Sequence, residues 1–268
     1  MSHFAASRCG PPSLNPLSEH PIALRGDVLR RRIFAPQAYA PVRNVAVVPI
    51  VHSECRELAS WFPLVWRRHD DVNEFVAVRA LLDDQRAQPP AARHLLPLIL
   101  QAYPFVLDPA KPVASDSQRL LDDVFADAPT DIGASITTVQ QKLARATTSR
   151  FRILDRFIDE AALTAEIGSA LAELDALEPW VLRFTIDGHV VEIPHLMVIR
   201  PSTFDSGVLA PLLEKYGMPC AQLLGMHRVS LFRAGGLLSM AKAFFNTGPD
   251  PVRPDGVAAD ARTMAALS

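Results

Sequence analysis

Val181-Leu-Arg-Phe-Thr-Ile186, Asp187-Gly188 and His189-Val-Val-Glu-Ile193 form the stretch on which the reading of the fold turns. Asp-Gly between two extended, β-branched runs is the chemistry of a two-residue type I′ turn, because both central residues there need positive φ. That turn fixes register. Ile186 faces His189, Phe184 faces Val191 and Leu182 faces Ile193 on one side of the ribbon, while Arg183 pairs with Glu192 on the other. One register thus yields both an apolar face and a cross-strand charge pair, the mark of an antiparallel hairpin.

Working outward, Leu196 to Arg200 reads as a third strand. Upstream, Ala134 to Leu177 turns helical, with Phe151, Leu154, Phe157, Ile158, Ala161 and Ala162 on one buried stripe. Val45-Ala-Val-Val-Pro-Ile-Val51 reads as an edge strand or strand end, since Pro49 has no N–H for a central ladder. A short helix over Glu54 to Trp61 follows, with Ser53 as its cap and Pro63 as its limit. Leu64-Val-Trp66 and Glu74 to Leu82 read as strands joined by the loop His69 to Asn73. Pro90 to Ala102 reads as a helix kinked at Pro97, and Pro104-Phe-Val-Leu107 as extended chain. The ordered part closes with a helix over about Phe204 to Tyr216, stopped by Gly217, and a longer one from Pro219 to about Phe245.

The expected fold class is α+β: a mainly antiparallel sheet of short strands and a hairpin, packed against several helices. Pro11, Pro12, Pro16, Pro21, Pro36 and Pro41, with only scattered apolar positions, mark residues 1–42 as a flexible Pro-rich arm. Residues 43–245 form one domain. Residues 246–268, with Gly248, Pro249, Pro251 and Pro254, form a flexible tail.

The chain has 268 residues, 49% of them hydrophobic, enough for a core, and 27 Lys+Arg against 29 Asp+Glu leave a net charge of −2. Such a balance lacks the positive field that nucleic-acid phosphates demand. Cys9, Cys55 and Cys220 are widely spaced and contain no C-x-x-C pair, which argues against disulfides and thiolate zinc and for a reducing compartment. Neither an apolar leader nor a long apolar span occurs, so the expectation is a cytoplasmic protein with no membrane span.

Motifs that carry their own mechanism (G-x-S-x-G, G-x-G-x-x-G, the Walker loop, H-E-x-x-H, the EF-hand loop) are absent. His52 and Cys55 flank Glu54 at a helix start, where a dipole can activate a thiol and a histidine can act as base; the plainer reading packs Cys55 as a small hydrophobe. His227 joins them as a third candidate catalytic residue. His189 and His195 would need a third ligand to hold a metal, and a structural role fits them better; no metal or cofactor is expected. Trp61, Phe62 and Trp66 around Pro63 offer an aromatic platform for a partner, against the alternative of core packing. Arg30-Arg31-Arg32 is an anchor for acidic groups or a solvated arm. The last helix carries Leu223, Leu224, Met226, Leu231, Phe232, Leu237, Leu238, Met240, Phe244 and Phe245 with few polar positions. It must be buried or dock on a partner. Gly235-Gly236 in its middle marks a kink or a close approach of another backbone.

Val47-Val-Pro-Ile-Val51, Trp61-Phe-Pro-Leu-Val-Trp66, Phe75-Val-Ala-Val78 and Leu96-Pro-Leu-Ile-Leu-Gln-Ala-Tyr-Pro-Phe105 resemble the opening segments of SapC-type proteins, named after a surface-array (S-layer) locus. The hairpin, Leu196-Met-Val-Ile199 and the final helix with His227 resemble that family's C-terminal half, so the resemblance runs from Asn44 to about Met240. It implies an accessory role beside TonB-dependent receptors, tryptophan-halogenase-like flavoproteins and cupin-like oxygenases, in a modification or surface-transport system. It supplies no catalytic set. The leading expectation is therefore a non-enzymatic accessory factor that binds a peptide or protein through Trp61, Phe62, Trp66 and the last helix. The alternatives are an enzyme with a Cys/His-based site at His52, Cys55 and His227, acting on a peptide or small metabolite, and a structural surface-layer subunit.

Overall fold

The computed structural model describes residues 18–69, 72–108, 113, 118–186 and 188–247. In chain order the strands are β1 (Pro21–Ala23), β2 (Arg32–Ile33), β3 (Val47–Pro49), β4 (Leu64–His69), β5 (Val72–Val78), β6 (Phe105–Leu107), β7 (Arg119–Asp122), β8 (Ala134–Ser135), β9 (Leu177–Pro179), β10 (Leu182–Ile186), β11 (His189–Ile193) and β12 (Leu196–Ile199). The helices are α1 (Ala40–Asn44), α2 (Cys55–Leu58), α3 (Leu98–Gln101), α4 (Arg145–Glu173), α5 (Pro201–Asp205), α6 (Ala210–Ser230) and α7 (Ala234–Thr247), with short 3-10 turns between them. The fold is α+β, as its patterning implies.

The central element is a five-stranded antiparallel sheet in the order β3-β5-β4-β12-β9. Alternation along β4 splits its side chains between two layers. Leu64 and Trp66 face a cluster with α2, the second half of α4 and α6, whereas Val65 faces the hairpin and α7. A third cluster lies around the three-stranded sheet β1-β7-β6, with α3 and the first half of α4. The long helix α4 therefore serves two cores in turn, with Leu154, Phe157 and Ile158 in one and Ile167 and Leu171 in the other. Ala162, expected on the stripe, is exposed. At Gly168 an added Cβ would lie 3.1 Å from the Asn73 carbonyl oxygen and 3.2 Å from Trp66 Nε1, so glycine permits this close approach of helix to sheet.

The hairpin has the expected register: Leu182 opposite Ile193, Arg183 opposite Glu192, Phe184 opposite Val191 and Ile186 opposite His189. Arg183 and Glu192 form an ion pair at 3.5 Å. Gly188 has φ 81°, as the turn requires, while Asp187 lies outside the described residues. β3 is an edge strand closed by Pro49.

Other expectations need correction. β12 pairs with β4 and β9 and not with the hairpin, because Pro194 cannot extend the ladder and His195, at φ 62°, turns the chain away. The helix expected from Ala134 starts only at Arg145. Before it, β8 pairs with β2, and Gln141 at positive φ makes a tight turn. α4 ends at Glu173, where Asp175 adopts positive φ and the Ala176 N–H reaches back to the Leu171 carbonyl, releasing the chain into β9. Pro97 does not kink a helix; it stands at the start of α3, where its missing N–H costs nothing, and a 3-10 turn precedes it. Ser53 does not cap. Its Oγ accepts from Arg156 Nη2, and the Glu54 carboxylate takes the capping place instead.

The largest correction concerns the arm. Residues 1–17 lie outside the described residues, but from 18 to 42 the chain forms β1, β2, two 3-10 turns and the start of α1. Ile33, Ala38, Tyr39 and Val42 are core residues. Of the prolines that suggested disorder, Pro36 and Pro41 stand in first helical turns, where no backbone N–H is needed. Asp122 ties the segment down: Oδ1 accepts from the His20 N–H at 2.7 Å and Oδ2 from the Tyr103 hydroxyl at 2.8 Å. Asp122→Ala is expected to free residues 18–25, read as new cleavage there in limited proteolysis with the rest of the chain resistant. An unchanged digest would deny the anchoring role. α7 runs to Thr247, and the remainder of the expected tail lies outside the described residues.

Candidate functional site

Of the three catalytic candidates, His52 and His227 are each engaged by their own partners, and Cys55 is buried. The His52 N–H donates to Thr164 Oγ1 at 3.0 Å, and the same hydroxyl donates to the Glu160 carbonyl at 2.8 Å. With its proton so placed, Oγ1 accepts from His52 Nδ1 at 3.2 Å. Glu54 is buried, its Oε2 accepting from the Val51 N–H at 2.9 Å and its Oε1 from the Leu98 N–H at 2.7 Å. Burial raises its carboxyl pKa to about 7 against the pull of those two donors. Cys55 is fully buried, and burial followed by the Glu54 charge pushes its thiol well above the ordinary range, the reverse of an activated nucleophile.

His227, on α6, is also fully buried. Its Nδ1 donates to the Leu64 carbonyl at 2.6 Å, and its Nε2 accepts from the Ile199 N–H at 3.2 Å. The Leu64 N–H donates to Ser230 Oγ at 2.9 Å, and that hydroxyl donates to the His227 carbonyl at 2.7 Å. Leu196 pairs with Arg67 and Met197 with Trp66, so continuing that register would set Leu64 opposite Ile199. The β4–β12 ladder opens there, and the imidazole and hydroxyl take the place of the bonds the strands would exchange. His227 is thus a structural bridge between strands and helix. Burial lowers its pKa to about 4, keeping it neutral.

The aromatic platform is dispersed. Phe62 and Trp66 are fully buried, with Trp66 packed 4.9 Å from both Phe75 and His227, centroid to centroid; only Trp61, 52% exposed, reaches the surface. Alternation in β4 sends Leu64 and Trp66 to the layer that α6 covers, which nearness to Trp61 in sequence does not reveal. The basic run is engaged locally: Arg31 pairs with Asp123, and Arg32 Nη1 donates to the Ile132 and Gly133 carbonyls. His189 stacks on Phe245 at 4.9 Å, while His195 serves the turn before β12. Among the described residues no group of three or more His, Cys, Asp or Glu stands ready for a metal ion.

Two surfaces remain. One is a cleft of ≈ 520 Å³ between Gln37, His94, Gln101 and the first turns of α4. It draws on segments far apart in the chain, so no local motif announces it. Arg150 on its wall donates to the Tyr103 and Phe34 carbonyls and holds these segments together.

The other surface is the outer side of the last helices. Gly217, with φ 60° and ψ −139°, bends α6, and from Met218 the helix runs straight into a 3-10 turn at Leu231–Arg233 and on into α7. Leu223, Leu224 and His227 face inward, as do Leu237 and Ala241 on α7. α7 is also held by Arg86 over the Phe244 ring at 4.8 Å. Facing outward are Met218 (70% exposed), Val229 (55%) and Phe232 (87%). Part of this apolar helix is therefore core and part uncovered. The α-helical pattern is interrupted by the 3-10 turn at Leu231–Arg233, ahead of the two glycines, and an added Cβ at Gly235 or Gly236 would meet nothing within 4 Å, so no backbone approaches there.

The SapC family model matches residues 30–206, from the end of the first 3-10 turn to the end of α5. The match begins before and stops short of the span suggested by sequence resemblance, and α6 and α7 lie beyond it. No curated protein and no solved structure matches the chain.

Proposed function

The chain belongs to the SapC family, and from that premise we propose that it works as a non-enzymatic accessory factor that binds a peptide or protein partner. The observation that carries this reading is the uncovered apolar face of α6 and of the 3-10 turn that follows it, on which Phe232 is the most exposed side chain. Trp61 is the one member of the aromatic trio available to extend a contact surface. The separate engagement of His52 and His227 and the burial of the Cys55 thiol favour binding over a Cys/His-based enzyme. A place beside a surface-layer, TonB-receptor or peptide-modification system, and a cytoplasmic site of action, belong to the same proposal. Among the described residues no helix is long and apolar enough to cross a membrane.

The test is capture from native lysate by the tagged full chain, with bound small molecules read by native mass spectrometry. A specific protein should be retained, and its yield should fall severalfold with Phe232→Ala, at unchanged melting temperature because the side chain is exposed. Equal capture by native chain and variant, or a bound metabolite without any protein, would defeat this reading.

A further inference from the structure

We infer that the partner of the α6 face is an acidic amphipathic helix; this rests on the binding role proposed above and names the chemistry of its ligand. At about 3.6 residues per turn, Met218, Ala221, Gly225, Val229 and Phe232 follow one another at three-and-four spacing and make a single stripe. All five are exposed. An added Cβ at Gly225 would meet nothing within 4 Å, so the middle of the stripe is a dent between Met218 on one side and Val229 and Phe232 on the other. Dents of this kind receive the side-chain ridge of a second helix.

Charge selects the partner. Arg228 follows Gly225 by three positions and precedes Phe232 by four, which puts it on one flank of the stripe. Arg233 follows Val229 by four and stands on the other flank. Both are exposed. From Ala210 to Thr247 the basic residues are Lys215, Arg228, Arg233 and Lys242, against Glu214 alone on the acidic side. A cationic rim around an apolar seam complements a helix with an apolar face and carboxylate flanks. A second copy meeting this face symmetrically would oppose arginine to arginine. A lipid surface would leave the dent at Gly225 unfilled, and the chain's net charge of −2 gives it no general attraction to anionic membranes.

The test uses the full chain with two synthetic amphipathic helices that share a leucine face, one flanked by glutamates and one by lysines. The glutamate helix should bind and the lysine helix should not. Phe232→Glu should weaken binding by about tenfold or more, the scale of one buried aromatic anchor. The double reversal Arg228→Glu with Arg233→Glu should exchange the preference. Three results would overturn the inference: equal binding of both peptides, indifference to the reversal, or binding of neither peptide while phosphatidylglycerol vesicles are bound. Sedimentation showing a native dimer abolished by Phe232→Glu would replace the acidic helix with a second copy. Lysate capture separates the two levels: if it depends on Phe232 but survives the charge reversal, the surface stands and the acidic partner falls. If it ignores Phe232, the binding surface itself falls.

Discussion

Replacing His227 by alanine is expected to cost about 3–5 kcal/mol of stability, from two stranded strand groups and a cavity. The Ile199 N–H and the Leu64 carbonyl lose the imidazole that joins them, inside a layer where water cannot replace it. The Trp66 ring loses a neighbour at 4.9 Å. For a chain of this size that loss lowers the melting temperature by roughly 10 °C. His227→Gln, which keeps a donor and an acceptor, should recover part of it. An alanine variant as stable as the native chain would mean that β4 and β12 close on each other without the bridge.

Proton linkage sets His227 against Glu54. His227 is lowered from 6.5 to about 4, so its contribution is complete above pH 6.5 and is lost as pH falls toward 4. Glu54 is raised from 4.5 to about 7, so its contribution is complete below pH 4.5 and is lost as pH rises through about 7. Each difference corresponds to roughly 3 kcal/mol. Between pH 4.5 and 6.5 the two therefore nearly cancel in the native chain. Removing one partner exposes the other. His227→Ala should gain stability as pH falls from 7 to 4.5, whereas Glu54→Gln should lose it from 6.5 to 4, both read by urea unfolding at stepped pH. Native-like profiles in both variants would refute the linkage.

Arg79→Met is the second large effect, about 3–5 kcal/mol, because a buried guanidinium satisfies three backbone carbonyls at once. Nη1 donates to the Val42 and Val45 carbonyls at 3.0 and 3.2 Å, and Nη2 donates to the Ala92 carbonyl at 2.8 Å. Burial lowers its pKa to about 10, which leaves it charged at neutral pH. The residue thus fastens α1 and the 90–93 turn to the end of β5. Arg79→Lys should rescue little, since one ammonium cannot reproduce the planar fork. Hydrogen exchange should quicken around residues 40–46 and 90–95 in Arg79→Met while the hairpin keeps its protection. Native melting temperature in Arg79→Lys would show that charge alone suffices there.

Signals confined to one segment were legible in the chain itself. Asp187-Gly188 and its alternating flanks determined the hairpin register to the residue, and Pro49 determined that β3 stands at an edge. The spacing of Leu154, Phe157 and Ile158 marked the buried side of α4. The apolar surplus of the last helix called for burial or a partner, but it did not reveal that Leu223 and Leu237 are covered within the chain while Phe232 is not.

What only the tertiary structure decided were the pairings between distant segments. Local patterning measures how strongly a residue seeks burial, whereas the assembled sheets determine which neighbour supplies it. Trp61 and Trp66 look alike in sequence, but alternation along β4 buries Trp66 under α6, whereas Trp61 lies in the turn before the strand and is half exposed. His227 has the look of a catalytic base until two strands open beside it and claim both of its nitrogens. The Pro-rich segment from 18 to 42 carries too little apolar surface to order alone. It orders because Asp122 and the rest of β7, about a hundred residues away along the chain, offer bonds that no local pattern records.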